Sequence, residues 1–176
     1  MSMRIVLSTF MKLQCLERAF FGVHRRFRQY GVLLCSALLI WGQARAEGGP
    51  QLNLERTVLT AGMNRLDVQL AQTPPQHQIG LMWRKDMPQH EGMLFVFAHA
   101  STQCFWMRNT FLPLTAAFLA DDGTIVNLAD MKPLSTDSHC SAQPVRYVLE
   151  MNQGWFAKKG LIAGSRLSGP PFEGKR

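Results

Sequence analysis

The chain has 176 residues, is 47% hydrophobic, and carries 19 Lys and Arg against 12 Asp and Glu, a formal net charge of +7. The excess is uneven, because residues 1–46 hold seven of the basic residues and one acid, Glu17, leaving 12 basic against 11 acidic residues in the other 130. That balance supplies no electrostatic footprint for nucleic acid, and a chain of this size suits one domain with one core.

In chain order the first element is an export signal. Arg25, Arg26 and Arg28 precede the apolar run Tyr30 to Trp41, which leads into Ala44-Arg45-Ala46. Basic segment, short apolar segment and small residues follow one another as in a secretory signal peptide, with cleavage after Ala46. The run of 12 residues is short of the about 20 that a helix needs to cross a bilayer. An uncleaved anchor is the alternative, and the length of the prefix fits translation from Met11. The expected domain is therefore residues 47–176, in the periplasm or outside the cell, meeting the membrane only through the signal segment.

Leu66, Val68 and Leu70 alternate with polar residues as a half-buried strand should. Thr73 before Pro74 predicts a helix start, with Ile79, Met82 and Trp83 on one face and an end near Asp86-Met87-Pro88. Met93 to Phe97 and Gln103 to Met107 read as buried strands. Leu114 to Ala120 and Thr124 to Ala129 form a hairpin across Asp121-Asp122-Gly123. Val145 to Met151 is a further strand, and Asn152 is expected to cap a short helix through Trp155 to Lys159 that stops at Gly160. These elements predict a mainly β domain, a small sandwich or half-open barrel with two short helices.

The order of words from Gln51 to Leu167 resembles the bacterial and archaeal family known as domain of unknown function 192 (DUF192). The resemblance rests on Gly80-Leu81-Met82-Trp83-Arg84, on Glu91 to Phe97, on Phe105 to Thr110 with Pro113-Leu114, on the Asp-Gly hairpin and on Arg146 to Glu150. It implies a fold family and no reaction. One residue departs from the pattern: Thr115 stands where such sequences often place an aspartate.

Two cysteines follow the signal, Cys104 and Cys140. In an oxidising compartment such a pair most often forms a structural disulfide. The alternatives are free inert thiols and a nucleophile with His139 as its base.

The candidate ligand-binding residues are Arg84, Trp106, Asn109 and Glu150, polar groups and one large ring set among apolar words. A strand that turns Phe105 inward turns Trp106 to the other face. The functional reading is a cleft with Trp106 as its floor and Arg84, Asn109 and Glu150 as hydrogen-bonding groups, suited to a cell-envelope glycan, peptide or small molecule. The structural reading is an Arg84–Glu150 ion pair with Asn109-Thr110 in a turn.

The common catalytic words are missing: no Gly-x-Ser-x-Gly, no His-Glu-x-x-His, no phosphate-cradling glycine loop and no Cys-x-x-Cys. No cofactor is implied. The alternative to a binding or accessory module is an envelope hydrolase with Glu150 as acid/base, partnered by Glu91 or Asp86. A further alternative is copper, because His77, Met82, Met87, His90, Met93 and His99 fall close together, and thioether and imidazole are ligands that copper favours. Two cysteines at this spacing fit no zinc finger.

Overall fold

The computed structural model describes residues 48–173, so the segment read as an export signal and the expected cleavage after Ala46 lie outside the described residues. Eight strands form: β1 (Arg56–Ala61), β2 (Asn64–Ala71), β3 (Glu91–Ser101), β4 (Cys104–Phe105), β5 (Leu114–Leu119), β6 (Ile125–Met131), β7 (His139–Cys140) and β8 (Val145–Asn152). Three short helices accompany them: α1 (Pro74–Ile79), α2 (Trp155–Lys158) and α3 (Pro170–Glu173).

Six strands make one open sheet in the order β1-β2-β3-β8-β5-β6, and β4 with β7 makes a second, two-stranded sheet. β2 and β3 run parallel, joined by the crossover that carries α1, while the other pairs in the large sheet are antiparallel. β8 sits between β3 and β5 and is buried on both faces up to Met151, which explains its nearly continuous apolar run. Near the C-terminus, Ser168 exchanges backbone hydrogen bonds with Thr60 on β1, and Leu167 N–H donates to Gly123 O in the β5–β6 turn. This strap ties the two ends of the open sheet to one another, giving the half-open arrangement expected from the strand pattern.

Alternation along the strands divides the core in two. One face gathers Leu66, Val68, Leu94, Leu149, Ala117 and Leu119 under Trp155, Phe156, Leu167 and Phe172 from the C-terminal segment. The other gathers Met93, Phe95, Val148, Ala116 and Phe118 under Leu81, Met87, Met107 and Leu112. The disulfide Cys104–Cys140 joins directly opposed residues of β4 and β7, with Cα atoms 4.0 Å apart.

Several local expectations need correction. The helix beginning after Thr73 ends at Ile79, far short of Asp86, because Gly80 and Trp83 both take positive φ (48° and 60°) and turn the chain away. Gln103 to Met107 is a strand only at Cys104–Phe105, with Cys104 on the exposed side. Asn152 ends β8 instead of capping α2, and its amide donates to the carbonyls of Met87 and Pro88, while Gly154 in left-handed conformation starts the helix. β1, β7 and α3 are additions to the elements read from sequence.

Candidate functional site

Glu150 defines the site, and strand geometry decides where it points. Successive residues of β8 face opposite ways, so Tyr147, Leu149 and Met151 enter the C-terminal core while Val148 and Glu150 enter the other. Register then places Glu150 in a row across the sheet: Gln69 on β2 opposes Met93 on β3, Met93 opposes Glu150, and Glu150 opposes Ala116 on β5.

Glu150 lines a cavity of about 220 Å³ between this row, α1 with the residues after it, and the β4 strand. Its walls are aromatic. His77, Phe95, Phe97, Phe105 and Trp106 all line it, with Phe105 edge-on to Phe95 at 4.8 Å between ring centroids and His77 tilted on Phe97 at 4.5 Å. His77 Nε2 donates to Ala71 O at 3.0 Å, which fixes that ring. Gln103 and Thr110 add polar edges.

The Glu150 side chain is 4% exposed, and its carboxyl has no hydrogen-bond or ion-pair partner among the described residues. Burial without compensation disfavours the charged form, and it pushes the Glu150 carboxyl up to about 8. At neutral pH the group is therefore mostly the neutral acid, able to donate as well as accept.

The structure brings together two of the four candidate residues. Trp106 and Glu150 line the same cavity, Trp106 at its mouth with half its surface in solvent. Asn109 does not line the cavity; its amide is 4.0 Å from Sδ of Met82, which does, and it takes φ 57°, a left-handed conformation that asparagine tolerates. Its carbonyl accepts from Trp83 N–H at 2.8 Å, so the two left-handed turns brace each other.

Arg84 is elsewhere. Its guanidinium donates to Gln51 O and to the Gln69 side chain, and its Nε is buried without a partner among the described residues. Burial lowers the guanidinium from its ordinary value. Gln69 and Glu150 are two strands apart in the row, roughly 10 Å with Met93 between. The ion pair between Arg84 and Glu150 does not form. Arg84 is instead held by Gln69, which the sequence disguises: between Val68 and Leu70 it reads as a residue on a solvent face.

Glu91 and Asp86 do not join Glu150 either. Glu91 is 3.0 Å from Arg56 at the far side of β3, and neither acid lines the cavity. Thr115 points to the opposite face, where it donates to Asp130 and accepts from Gly154 N–H. Its departure from the usual aspartate leaves the Glu150 cavity untouched.

The histidines and methionines weighed for copper are scattered. His77 and Met82 line the cavity, Met93 lies in the core row, His90 borders different surface hollows, and His99 is exposed on β3. Among the described residues no three of His, Cys, Asp and Glu gather where they could hold a metal.

Fold and site together define a class: a small, disulfide-closed β domain with an aromatic-walled cavity over a buried carboxyl that has no partner among the described residues. Residues 57–169 match the DUF192 family model, described as "Uncharacterized ACR", and the chain belongs to that family. It is similar to a solved protein from Sinorhizobium meliloti 1021, provisionally described as a transcription regulator, at 37% identity and a TM-score of 0.64, over 69% of this chain and 98% of that one. It is also similar to a solved protein of unknown function from Novosphingobium aromaticivorans DSM 12444, at 31% identity and a TM-score of 0.60, over 66% of this chain and 86% of that one. A search of curated proteins gives no match.

Proposed function

We propose that this protein is an exported binding module whose ligand site is the Glu150 cavity. The observation that supports it is the carboxyl itself. A carboxyl buried in an apolar wall without a protein partner costs free energy, and a ligand that hydrogen-bonds it from the cavity would recover part of that cost. The aromatic walls give an apolar body for the ligand to stack on, and the half-exposed Trp106 gives the edge it passes.

A hydrolase reading rests on the same acid, since a carboxyl kept protonated at neutral pH is what general-acid chemistry requires. The cavity offers it no second carboxylate among the described residues, and the binding reading therefore comes first. The regulator description of the Sinorhizobium relative is not carried over. Twelve basic against 11 acidic residues beyond the signal make a poor match for a phosphate backbone, and the disulfide suits an oxidising compartment.

Export is part of this proposal, supported by the signal pattern and the Cys104–Cys140 bond. N-terminal sequencing should find Glu47 on the mature protein in the periplasmic or extracellular fraction, and an intact Met1 or Met11 on cytosolic protein would overturn it. For the site, thermal-shift screening of small envelope-derived compounds should give hits that raise the melting temperature by mass action. Trp106→Ala should abolish those shifts and Glu150→Gln weaken them. Hits that persist undiminished in both variants would place the site elsewhere.

A further inference from the structure

The chemistry of the cavity narrows what can enter it. Glu150 is the one carboxylate among its described lining residues, and no Lys or Arg lines it. An anion would find no positive partner. A sugar ring, with a hydroxyl on nearly every carbon, would find side-chain partners in Gln78, Gln103, Thr110 and Glu150, with His77 Nε2 already committed to Ala71 O, and otherwise aromatic and aliphatic carbon, leaving several of its polar groups unsatisfied. What aromatic faces and a lone carboxyl do complement is positive charge, since the ring quadrupole presents its negative face and a carboxylate gains a charge-assisted hydrogen bond.

We propose that the ligand of this cavity is a small organic cation that carries an N–H, a primary ammonium or guanidinium head on a short apolar stem, held by the Glu150 carboxylate inside the walls of His77, Phe95, Phe97, Phe105 and Trp106. This rests on the reading of the cavity as the ligand site. Its volume, about 220 Å³, accommodates such a head with a few carbons behind it.

Binding is then coupled to a proton. Glu150 rests as the neutral acid because burial raises it to about 8, and the incoming cation favours the carboxylate, so each binding event below that value releases one proton. The other charged or titratable groups around it are few. His77 shares the cavity with its Nε2 committed to Ala71 O, and Arg84 lies beyond Met93 on Gln69. His139 pairs opposite Phe105 on β7, and the exposed Arg108 stands 5.9 Å over the Trp106 ring, outside the cavity lining, where water screens it.

The test is calorimetric titration of the full chain with n-butylammonium and, separately, with its neutral counterpart n-butanol, at several pH values and in two buffers of different ionisation enthalpy, with the Phe105 and Trp106 resonances followed by NMR. Butylammonium should bind at least about tenfold more tightly than butanol at pH 8. Its affinity should rise about tenfold per pH unit between about pH 6 and 7 and level off above about 8, with close to one proton released per ligand at the lower end. Glu150→Gln, checked for folding by circular dichroism, should lose both the preference and the pH dependence. Butanol binding as tightly as butylammonium, or an affinity flat with pH and no proton release, would overturn the cation while leaving the cavity a ligand site. Resonances unmoved by either probe at tens of millimolar would overturn the cavity reading as well.

Discussion

The two faces of the central sheet are made by the same strands and are built differently. On β8, Leu149 and Met151 enter a face closed by Trp155, Phe156, Leu167 and Phe172, where apolar side chains fill the space. One residue away, Glu150 enters a face that also holds buried Gln69 and Arg84 and that keeps an open cavity beside Phe95 and Phe105. The difference teaches that one side of this sheet is filled by apolar side chains, while the other packs an apolar core around buried polar groups and leaves an open cavity beside one of them, which is the side the proposed ligand site occupies.

The largest expected effect breaks the closed face. Phe156 is 1% exposed at the centre of that core, and Phe156→Ala should lower the unfolding free energy by about 3 to 5 kcal/mol, read from a denaturant midpoint. Phe95→Ala, across the sheet beside the cavity, should fall toward the lower end of that range, because part of its ring already borders empty space. An equal or larger loss at Phe95 would erase the distinction between the faces. Next comes the covalent closure of the cavity side: removing the Cys104–Cys140 bond, a separation of 36 residues, should cost about 3 to 4 kcal/mol in the chain-entropy model. Intact mass under non-reducing conditions should show no free thiol from this pair, and chemical denaturation with and without reductant should show the loss.

A more diagnostic effect is the pH dependence of stability. Glu150 rises from an ordinary value of 4.5 to about 8 on folding, so the native state binds more protons than the unfolded chain between those values. Stability from this group is therefore fully present below about 4.5, falls as pH rises by up to about 1.4 kcal/mol per unit, and is gone above about 8. Glu150→Gln should remove that slope and leave the variant at least as stable as the parent near pH 8. Denaturation curves of the two proteins across this range check it. The smallest effect belongs to the surface. Arg56 bridges Asp67 and Glu91 at 2.9 and 3.0 Å in a partly exposed setting, and Arg56→Ala should cost less than about 1 kcal/mol and less still in high salt.

Much of the fold was legible in the sequence, and the reasons are local. The alternation of Leu66, Val68 and Leu70, the unbroken apolar runs of β3 and β8, and the Asp121-Asp122-Gly123 turn, where Gly123 takes φ 85°, are each set by a few neighbouring residues. The disulfide was legible because two cysteines leave one pairing. What failed was set at a distance. The helix after Thr73 stops early because Gly80 and Trp83 must turn to meet the Asn109 loop. β1 was missed because its outward residues are half exposed, and α3 because Pro170-Pro171 reads as a chain breaker.

The site was half legible for the same reason. Trp106 and Glu150 do line one cavity, but not for the reason of strand alternation, since β4 ends at Phe105 and Phe105 and Trp106 both line it; the pairing of Arg84 with Glu150 was inferred from chemistry alone. Only the register, with Gln69, Met93 and Glu150 in one row, reveals that a strand separates the two groups and that Gln69 takes Arg84. His77, weighed for copper, and Phe97 and Phe105, read as core, entered the site without a sequence signal for this role, since rings in apolar words announce core and cavity alike.

The central claim is that Glu150 is a buried carboxyl with no ionic partner among the described residues, and the most direct measurement is its own titration by carbon-detected NMR of the side-chain carboxyl in the ligand-free protein. A midpoint near the value of about 8 is the expected result. A midpoint at or below the ordinary 4.5, as an ion pair with Arg84 would produce, would contradict it.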